Sequence, residues 1–176
     1  AVATGVKLAN PDLDVWIITG DGDGLSIGGN HTMHILRRNL DCQILLFNNE
    51  IYGLTKGQYS PTSREGTRTP SSPTGSIDHP AKPAAFALGS GARFIGRAFD
   101  IAKQLPDVLK AAYAHKGAAF VEIFQNCIVY NKDEFADFTE KKNADDGQLW
   151  VEHGKPMLFA KGTKGIALDR VALKLK

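Results

Sequence analysis

Cysteine is nearly absent from this 176-residue chain: Cys42 and Cys127 are the only two. They make neither a disulfide framework nor a complete metal site by themselves. Charge of one sign is not in excess either, since 21 basic residues face 19 acidic ones and no long one-sign block occurs. That balance excludes the basic signature of a nucleic-acid binder. No apolar run reaches the ~18 residues of a membrane span. The opening "AVATGVKLANPDLD" has no basic leader followed by an apolar core and a small-residue cleavage site, so no secretion signal is read and a cytoplasmic location is expected. Methionine is missing at position 1 and the chain begins inside a helical pattern, which predicts that a natural N-terminal segment precedes it. With 43% hydrophobic residues the chain is long enough for one sizeable core and short for two.

What is present alternates. "DVWIIT" (14–19), "CQILLFN" (42–48), "ARFIGRA" (92–98) and "AAFVEIF" (118–124) are short apolar runs that read as strands, most of them buried on both faces. Between them "LSIGGNHTMHILRRN", "PAAFALGSG" and "QLPDVLKAAYAHKG" have helical spacing, the last with Pro106 in its first turn and Gly117 past its end. Residues 1–10 read as a helix before the first strand. Strand alternating with helix predicts an α/β fold, a mostly parallel sheet with helices on both faces. Residues 57–80 are rich in Pro, Gly, Ser and Thr and read as a long loop, of a kind that is usually functional or mobile. Past Tyr130 the pattern weakens, so residues 1–130 are expected to form the α/β domain and 131–176 a tail that packs on it or on a partner.

The first strand runs into "GDGDG", residues 20–24, where two carboxylates stand between glycines. Glycine permits φ > 0 or close approach, and a buried carboxylate is costly without a cation. In parallel sheets ligands sit outside the carboxyl ends of the strands, which makes "GDGDG" and "NNEIYGLTKGQ" (48–58) neighbours. Asp21, the amide oxygen of Asn49 and a backbone carbonyl after it form an oxygen-only set suited to Mg2+. Gly22 and Gly24 present backbone N–H groups to a diphosphate. Three other motifs fail on the residues. A dinucleotide fingerprint needs Gly or Ala where Leu25 stands, a P-loop needs Gly-Lys-Ser/Thr, and a calcium loop beginning at Asp21 needs Glu where Thr32 stands.

"GDGDG" followed by "NNEIYGLTKGQ" resembles the thiamine diphosphate motif of the β subunits of 2-oxoacid:ferredoxin oxidoreductases. "IGGNHTMHILRRN", "GLTKGQYSPTS", "FVEIFQNC" and "EHGKPMLF" are similar to the same family, so the resemblance runs along nearly the whole chain. It implies a thiamine diphosphate-binding fold. It further implies oxidative decarboxylation of a 2-oxoacid to an acyl-CoA, with electrons leaving through a [4Fe-4S] cluster to ferredoxin. The form "GLTKGQ" is similar to the 2-oxoglutarate or broad 2-oxoacid members rather than the pyruvate-specific ones. By the resemblance Asp21, Asn49 and the carbonyl of Ile51 are the magnesium ligands, and Gly22, Asp23, Gly53 and Leu54 contact thiamine diphosphate. His31 stands near the diphosphate, and Lys56 meets an acidic group of substrate or cofactor.

Cys127 follows the last strand on the same sheet edge as Asp21 and Asn49, which makes it a candidate cluster ligand; the family places the other cysteines in an N-terminal segment outside this chain. The family's α (or α/γ) subunit would supply the carboxylate that activates the thiamine ring, so this chain alone is expected to be inactive. Other roles stay open for these residues. Asp and Asn also close strand ends as turn residues, His31 and His34 stand three apart on a helix without a visible third ligand, and Arg64 and Arg68 serve as solvated loop charges. Two other functions share the diphosphate site: a non-oxidative thiamine-dependent decarboxylase or synthase, and an assembly subunit without activity.

Overall fold

The computed structural model describes residues 1–176. They form two compact units, residues 1–134 and 135–176. In the first, α1 (Val2–Ala9) precedes β1 (Trp16–Gly20), α2 (Asp21–Leu25), α3 (Gly29–Arg38), β2 (Cys42–Asn48) and a small hairpin, β3 (Ile51–Tyr52) with β4 (Gln58–Tyr59). Then come α4 (Pro83–Gly89), β5 (Phe94–Phe99), α5 (Leu105–Ala114) and β6 (Ala118–Phe124). The four long strands make one parallel sheet in the order β1-β2-β6-β5. The expected α/β class is therefore the observed one.

β2 and β6 are the centre of the sheet because their sequences are apolar on both faces. Cys42, Ile44 and Leu46 with Ala118 and Phe120 pack on one side against Ile35 and Leu36 of α3 and Ala87 of α4. On the other side Leu45, Ala119, Val121 and Ile123 pack against Ala112, Leu105, Val108 and Leu109 of α5. Phe120 and Leu46 are fully buried, each such side chain stabilising the fold by roughly 1.5–3 kcal/mol. The helices after β1 and before β6 thus lie on opposite faces, which is what right-handed crossovers demand when the chain order runs inward from both edges. β2 and β6, neighbours without being consecutive, mark the switch point of the sheet.

Two sequence expectations are modified. β1 is not buried on both faces: it is an edge strand, and Ile18 is 62% exposed. The helix read over 25–39 is two pieces, since helical backbone already begins at Asp21 and breaks at Ser26–Gly28 before α3. Glycine-rich "GDGDG" therefore folds as a helical turn with Asp21 and Asp23 in its first turn, where the helix dipole favours them. At the far end of α3, Asn39 takes the left-handed conformation and its Oδ1 accepts the N–H of Ala118 at 3.2 Å, tying the helix to the start of β6.

The second unit holds two single-turn helices, α6 (Ala136–Thr139) and α7 (Ala144–Gly147). Two small hairpins follow, β7 (Leu158–Phe159) with β8 (Lys164–Gly165) and β9 (Leu168–Asp169) with β10 (Lys174–Leu175). No helix of either unit is long and apolar enough to cross a membrane.

Candidate active site at the switch point

The register aligns Gly20 with Phe47 and Asn48 with Phe124, so β1, β2 and β6 end at one level. Asp21 leaves the first, Asn49 the second, and Gln125 the third, with the N–H of Gln125 donating to the carbonyl of Asn48 at 3.0 Å. Asp21 is 2% exposed and has no cation beside it. Its partners are hydroxyls and an amide. Oδ2 accepts from Ser60 Oγ at 2.5 Å and Thr62 Oγ1 at 2.6 Å, and Oδ1 has only a long 3.4 Å contact from the N–H of Asn49. A buried carboxylate so placed is a candidate seat for a cation.

Asn49 Oδ1 accepts the N–H of Ile51 at 3.2 Å, a bond that keeps the side-chain amide on the same loop as the Ile51 carbonyl. The carbonyl of Asn49 itself accepts from Asn131 Nδ2 at 2.9 Å. These oxygens, one anionic and two neutral, have the chemistry of a Mg2+ site that leaves positions for phosphate and water. Among the side chains there is no group of three His, Cys, Asp or Glu that would make a transition-metal site. His31 is exposed on α3, and His34 accepts a hydrogen bond from Arg37 Nε at 3.0 Å.

In the first helical turn Gly22 and Gly24 are required by contact and not by a positive φ. A Cβ at Gly22 would stand 2.1 Å from the ring of Tyr52, whose hydroxyl donates to the Gly22 carbonyl at 3.3 Å, and one at Gly24 would meet Thr19 and Leu46 at 3.0 and 3.2 Å. The second loop does use left-handed backbone. Glu50 (φ 55), Lys56 (φ 77) and Gly57 (φ 90) all lie there, and for the two non-glycine residues that conformation is uncommon. Lys56, Leu54 and Asp23 are exposed, and Gly53 is half-buried beside Cys127, whose Sγ would be 3.5 Å from a Cβ at Gly53. Of the residues singled out in the sequence, Asp21, Asn49, Ile51, Gly22, Gly53 and Cys127 thus stand on segments that follow the carboxyl ends of the strands. His31, Asp23, Leu54 and Lys56 are exposed to solvent.

Several polar residues escaped the sequence reading. Asn48 Nδ2 donates to Glu122 Oε1 at 2.8 Å, and Thr62 Oγ1 lies 2.9 Å from Asn48 Oδ1. Glu122, 1% exposed, is clamped by Arg97 through Nε at 2.9 Å and Nη2 at 2.8 Å. A carboxylate inside the apolar run "FVEIF" was the available signal, since such a group survives only when paired. Ser60, Thr62 and Ser63 are buried at the head of a segment that composition alone reads as loop. Beyond them residues 64–76 are tied by their own hydrogen bonds, such as Gly66 N–H to the Ser76 carbonyl at 2.8 Å. Asn48, Thr62, Arg97 and Glu122 also line a cavity of about 440 Å3.

Glu50, between the two neutral metal-ligand candidates, has its carboxyl pushed up to about 7, chiefly by burial and further by Glu134, against the pull of Arg64. Arg64 Nε stands 3.3 Å from Glu50 Oε2 and 2.7 Å from Glu134 Oε1. The longer approach is an ion pair without hydrogen-bond geometry, which leaves Glu50 Oε2 buried and unbonded. Arg64 is thereby part of a local ion-pair cluster and not a free loop charge.

The family model of the thiamine pyrophosphate enzyme C-terminal TPP binding domain matches residues 1–123. Over 160 residues, 90% of this chain and 43% of the relative, the chain is 56% identical to the 2-oxoglutarate oxidoreductase subunit KorB of Mycobacterium tuberculosis. Over 153 residues, 85% of this chain and 48% of the relative, it is 43% identical to the 2-oxoacid:ferredoxin oxidoreductase 1 subunit beta of Aeropyrum pernix. A solved 2-oxoglutarate:ferredoxin oxidoreductase from Magnetococcus marinus, with 2-oxoglutarate, coenzyme A and succinyl-CoA bound, has a TM-score of 0.75 and 44% identity, covering 78% of this chain and 47% of that one. The chain spans about half the length of these relatives.

Proposed function

Because the chain belongs to the thiamine pyrophosphate enzyme family, through its C-terminal TPP-binding domain, we propose that it is the cofactor-holding part of a 2-oxoacid:ferredoxin oxidoreductase β subunit acting on 2-oxoglutarate. The observation that carries the reading is Asp21, a buried carboxylate with no basic side chain beside it at the carboxyl end of β1, facing the loop of Asn49 and Ile51. The relatives' names and the ligands in the solved neighbour support the oxidoreductase and the substrate.

In this reading Asp21, the Asn49 side chain and the Ile51 carbonyl hold Mg2+, and Gly22, Asp23, Gly53 and Leu54 border thiamine diphosphate with His31 near its phosphates. Bound thiamine diphosphate supplies the electron sink that decarboxylation of a 2-oxoacid needs. Lys56, held out on a turn by its left-handed backbone, offers a cation to the second carboxylate of a dicarboxylic substrate. Cys127 gives one thiolate to a [4Fe-4S] cluster whose other ligands lie outside this chain. An α (or α/γ) subunit, coenzyme A and ferredoxin complete the reaction.

The test is calorimetric titration of the full-length subunit, assembled with its partner without oxygen, with thiamine diphosphate in the presence and absence of Mg2+, alongside iron content. Mg2+-dependent binding with bound iron is expected. No Mg2+-dependent binding overturns the site; binding without iron overturns the electron route and leaves a non-oxidative enzyme.

A further inference from the structure

We infer that Ser60 and Thr62 are positioning residues that make Asp21 present a single oxygen to its cation, and so set the site's preference for Mg2+ over Ca2+. The inference rests on the reading of Asp21 as a metal ligand. Ser60, Thr62 and Asp21 are each at most 3% exposed, and both hydroxyls converge on one carboxylate oxygen, at 2.5 and 2.6 Å from Oδ2. Two hydroxyl contacts occupy the lone pairs of that oxygen. Oδ1, with only the 3.4 Å approach of the Asn49 N–H, is left as the face turned toward the Asn49 loop.

The hydroxyls are themselves fixed from behind. Ser60's N–H donates to Ser63 Oγ at 2.8 Å, and Ser63 Oγ in turn donates to the Glu50 carbonyl. Thr62 Oγ1, its one proton given to Asp21, also lies 2.9 Å from Asn48 Oδ1, and Asn48 is held by Glu122 and its arginine. Through Ser60, Ser63 and the Glu50 carbonyl the orientation of Asp21 is referred to the loop that follows β2. This geometry discriminates between ions by chemistry. Mg2+ demands near-octahedral coordination and takes carboxylates readily through one oxygen, whereas the larger Ca2+ takes 6–8 oxygens and exploits bidentate carboxylates. With Oδ2 engaged, the bidentate mode is closed.

The test uses the full-length subunit with its partner, stripped of metal, and measures the Mg2+ and Ca2+ concentrations that half-saturate thiamine diphosphate binding. The variants are Ser60→Ala, Thr62→Val, the pair together, and Thr62→Ser. In the double variant the Mg2+ requirement should rise roughly tenfold and the Ca2+ requirement by less than about threefold, because a freed Oδ2 compensates only the larger ion. Thr62→Ser, which keeps the hydroxyl, should stay within about twofold of wild type for both ions. A preference that does not move, or parallel weakening for both ions, overturns the inference, since general loosening of the loop would affect them alike. If the double variant does not fold, as its thermal melting reveals, Ser60→Ala decides: it should shift the Ca2+-to-Mg2+ ratio by about threefold, and an unmoved ratio is equally fatal. Wild-type binding that ignores divalent ions altogether strikes the metal reading itself, and is recognised before any variant is made.

Discussion

At the amino-terminal ends of β2 and β6 stand Cys42 and Ala118, both buried among aliphatic side chains of α3 and α4. Six residues on, the same two strands end at Asn48 and Phe124, and there the buried groups are Asp21, Asn48, Ser60, Thr62 and Glu122. Both strands stay largely buried to their carboxyl ends, where only Phe47 and Phe124 are half-buried, so burial does little to separate the two regions. Their chemistry does. One end removes apolar surface from water, which stabilises the fold. The other buries five polar groups that must satisfy one another, a costly arrangement that adds little stability and is kept where orientation matters. With the proposed function, stability belongs to one end of the sheet and binding to the other, and each half is open to breakage.

The largest effect is expected at the polar end. Asp21→Ala removes the sole anionic ligand candidate, so thiamine diphosphate binding in the assembled subunit with Mg2+ should weaken by more than roughly a hundredfold. The fold should survive, because the change deletes a buried charge that contributes no ion pair. Calorimetry and thermal melting on the same sample read both halves of the statement. Affinity within about threefold of wild type would break the comparison at its functional end.

The next effect belongs to the apolar end. Phe120→Ala empties a fully buried position between α3, α4 and the sheet, at an expected cost of about 3–5 kcal/mol. Denaturant unfolding of the full-length subunit measures it, and cofactor affinity of the folded fraction should be unchanged. A cost below about 1 kcal/mol would mean that this core is not where the stability lies.

Most of the apolar end was legible in the sequence and most of the polar end was not. "CQILLFN" and "AAFVEIF" are observed strands over the same residues that periodicity marked, 42–48 and 118–124. Their apolar runs sit between clear breaks, so length and pattern agree. β1 and β5 begin two residues later than read, and they lie on the edges of the sheet, where one face is less strictly apolar. At the site, the oxygen set of Asp21, Asn49 and Ile51 follows from strand ends and a resemblance to a known motif. The brace behind it does not. Ser60 and Thr62 are common residues in a Ser- and Thr-rich stretch, and their partners lie about forty residues away along the chain. Glu122 meets Asn48 across 74 residues. A single sequence without a fold carries no sign of which hydroxyl a distant carboxylate will find.

The smallest predicted effect changes neither stability nor affinity and compares the two cysteines, one at each end of the sheet. Cys42 is 1% exposed and its thiol is pushed up to about 11, first by burial and then by Asp41, against a weaker pull from Lys7. Near pH 8 it therefore has about a hundredfold fewer thiolates than an ordinary cysteine, on top of its lack of access. Cys127 is half-buried next to the Gly53 turn. In the full-length subunit an alkylating reagent should accordingly leave the Cys42 peptide unmodified at pH 8, with its modification rising only as the pH approaches 11 or the fold is lost. If Cys127 holds a cluster, its peptide should be protected in the anaerobic protein and become reactive once iron is chelated, a difference that peptide-resolved mass spectrometry reads directly. Equal labelling of the two peptides at pH 8 in the folded protein after iron is chelated would erase the distinction between the ends. A Cys127 that is reactive with iron still bound would remove it from the cluster and leave it as a thiol that merely closes a strand.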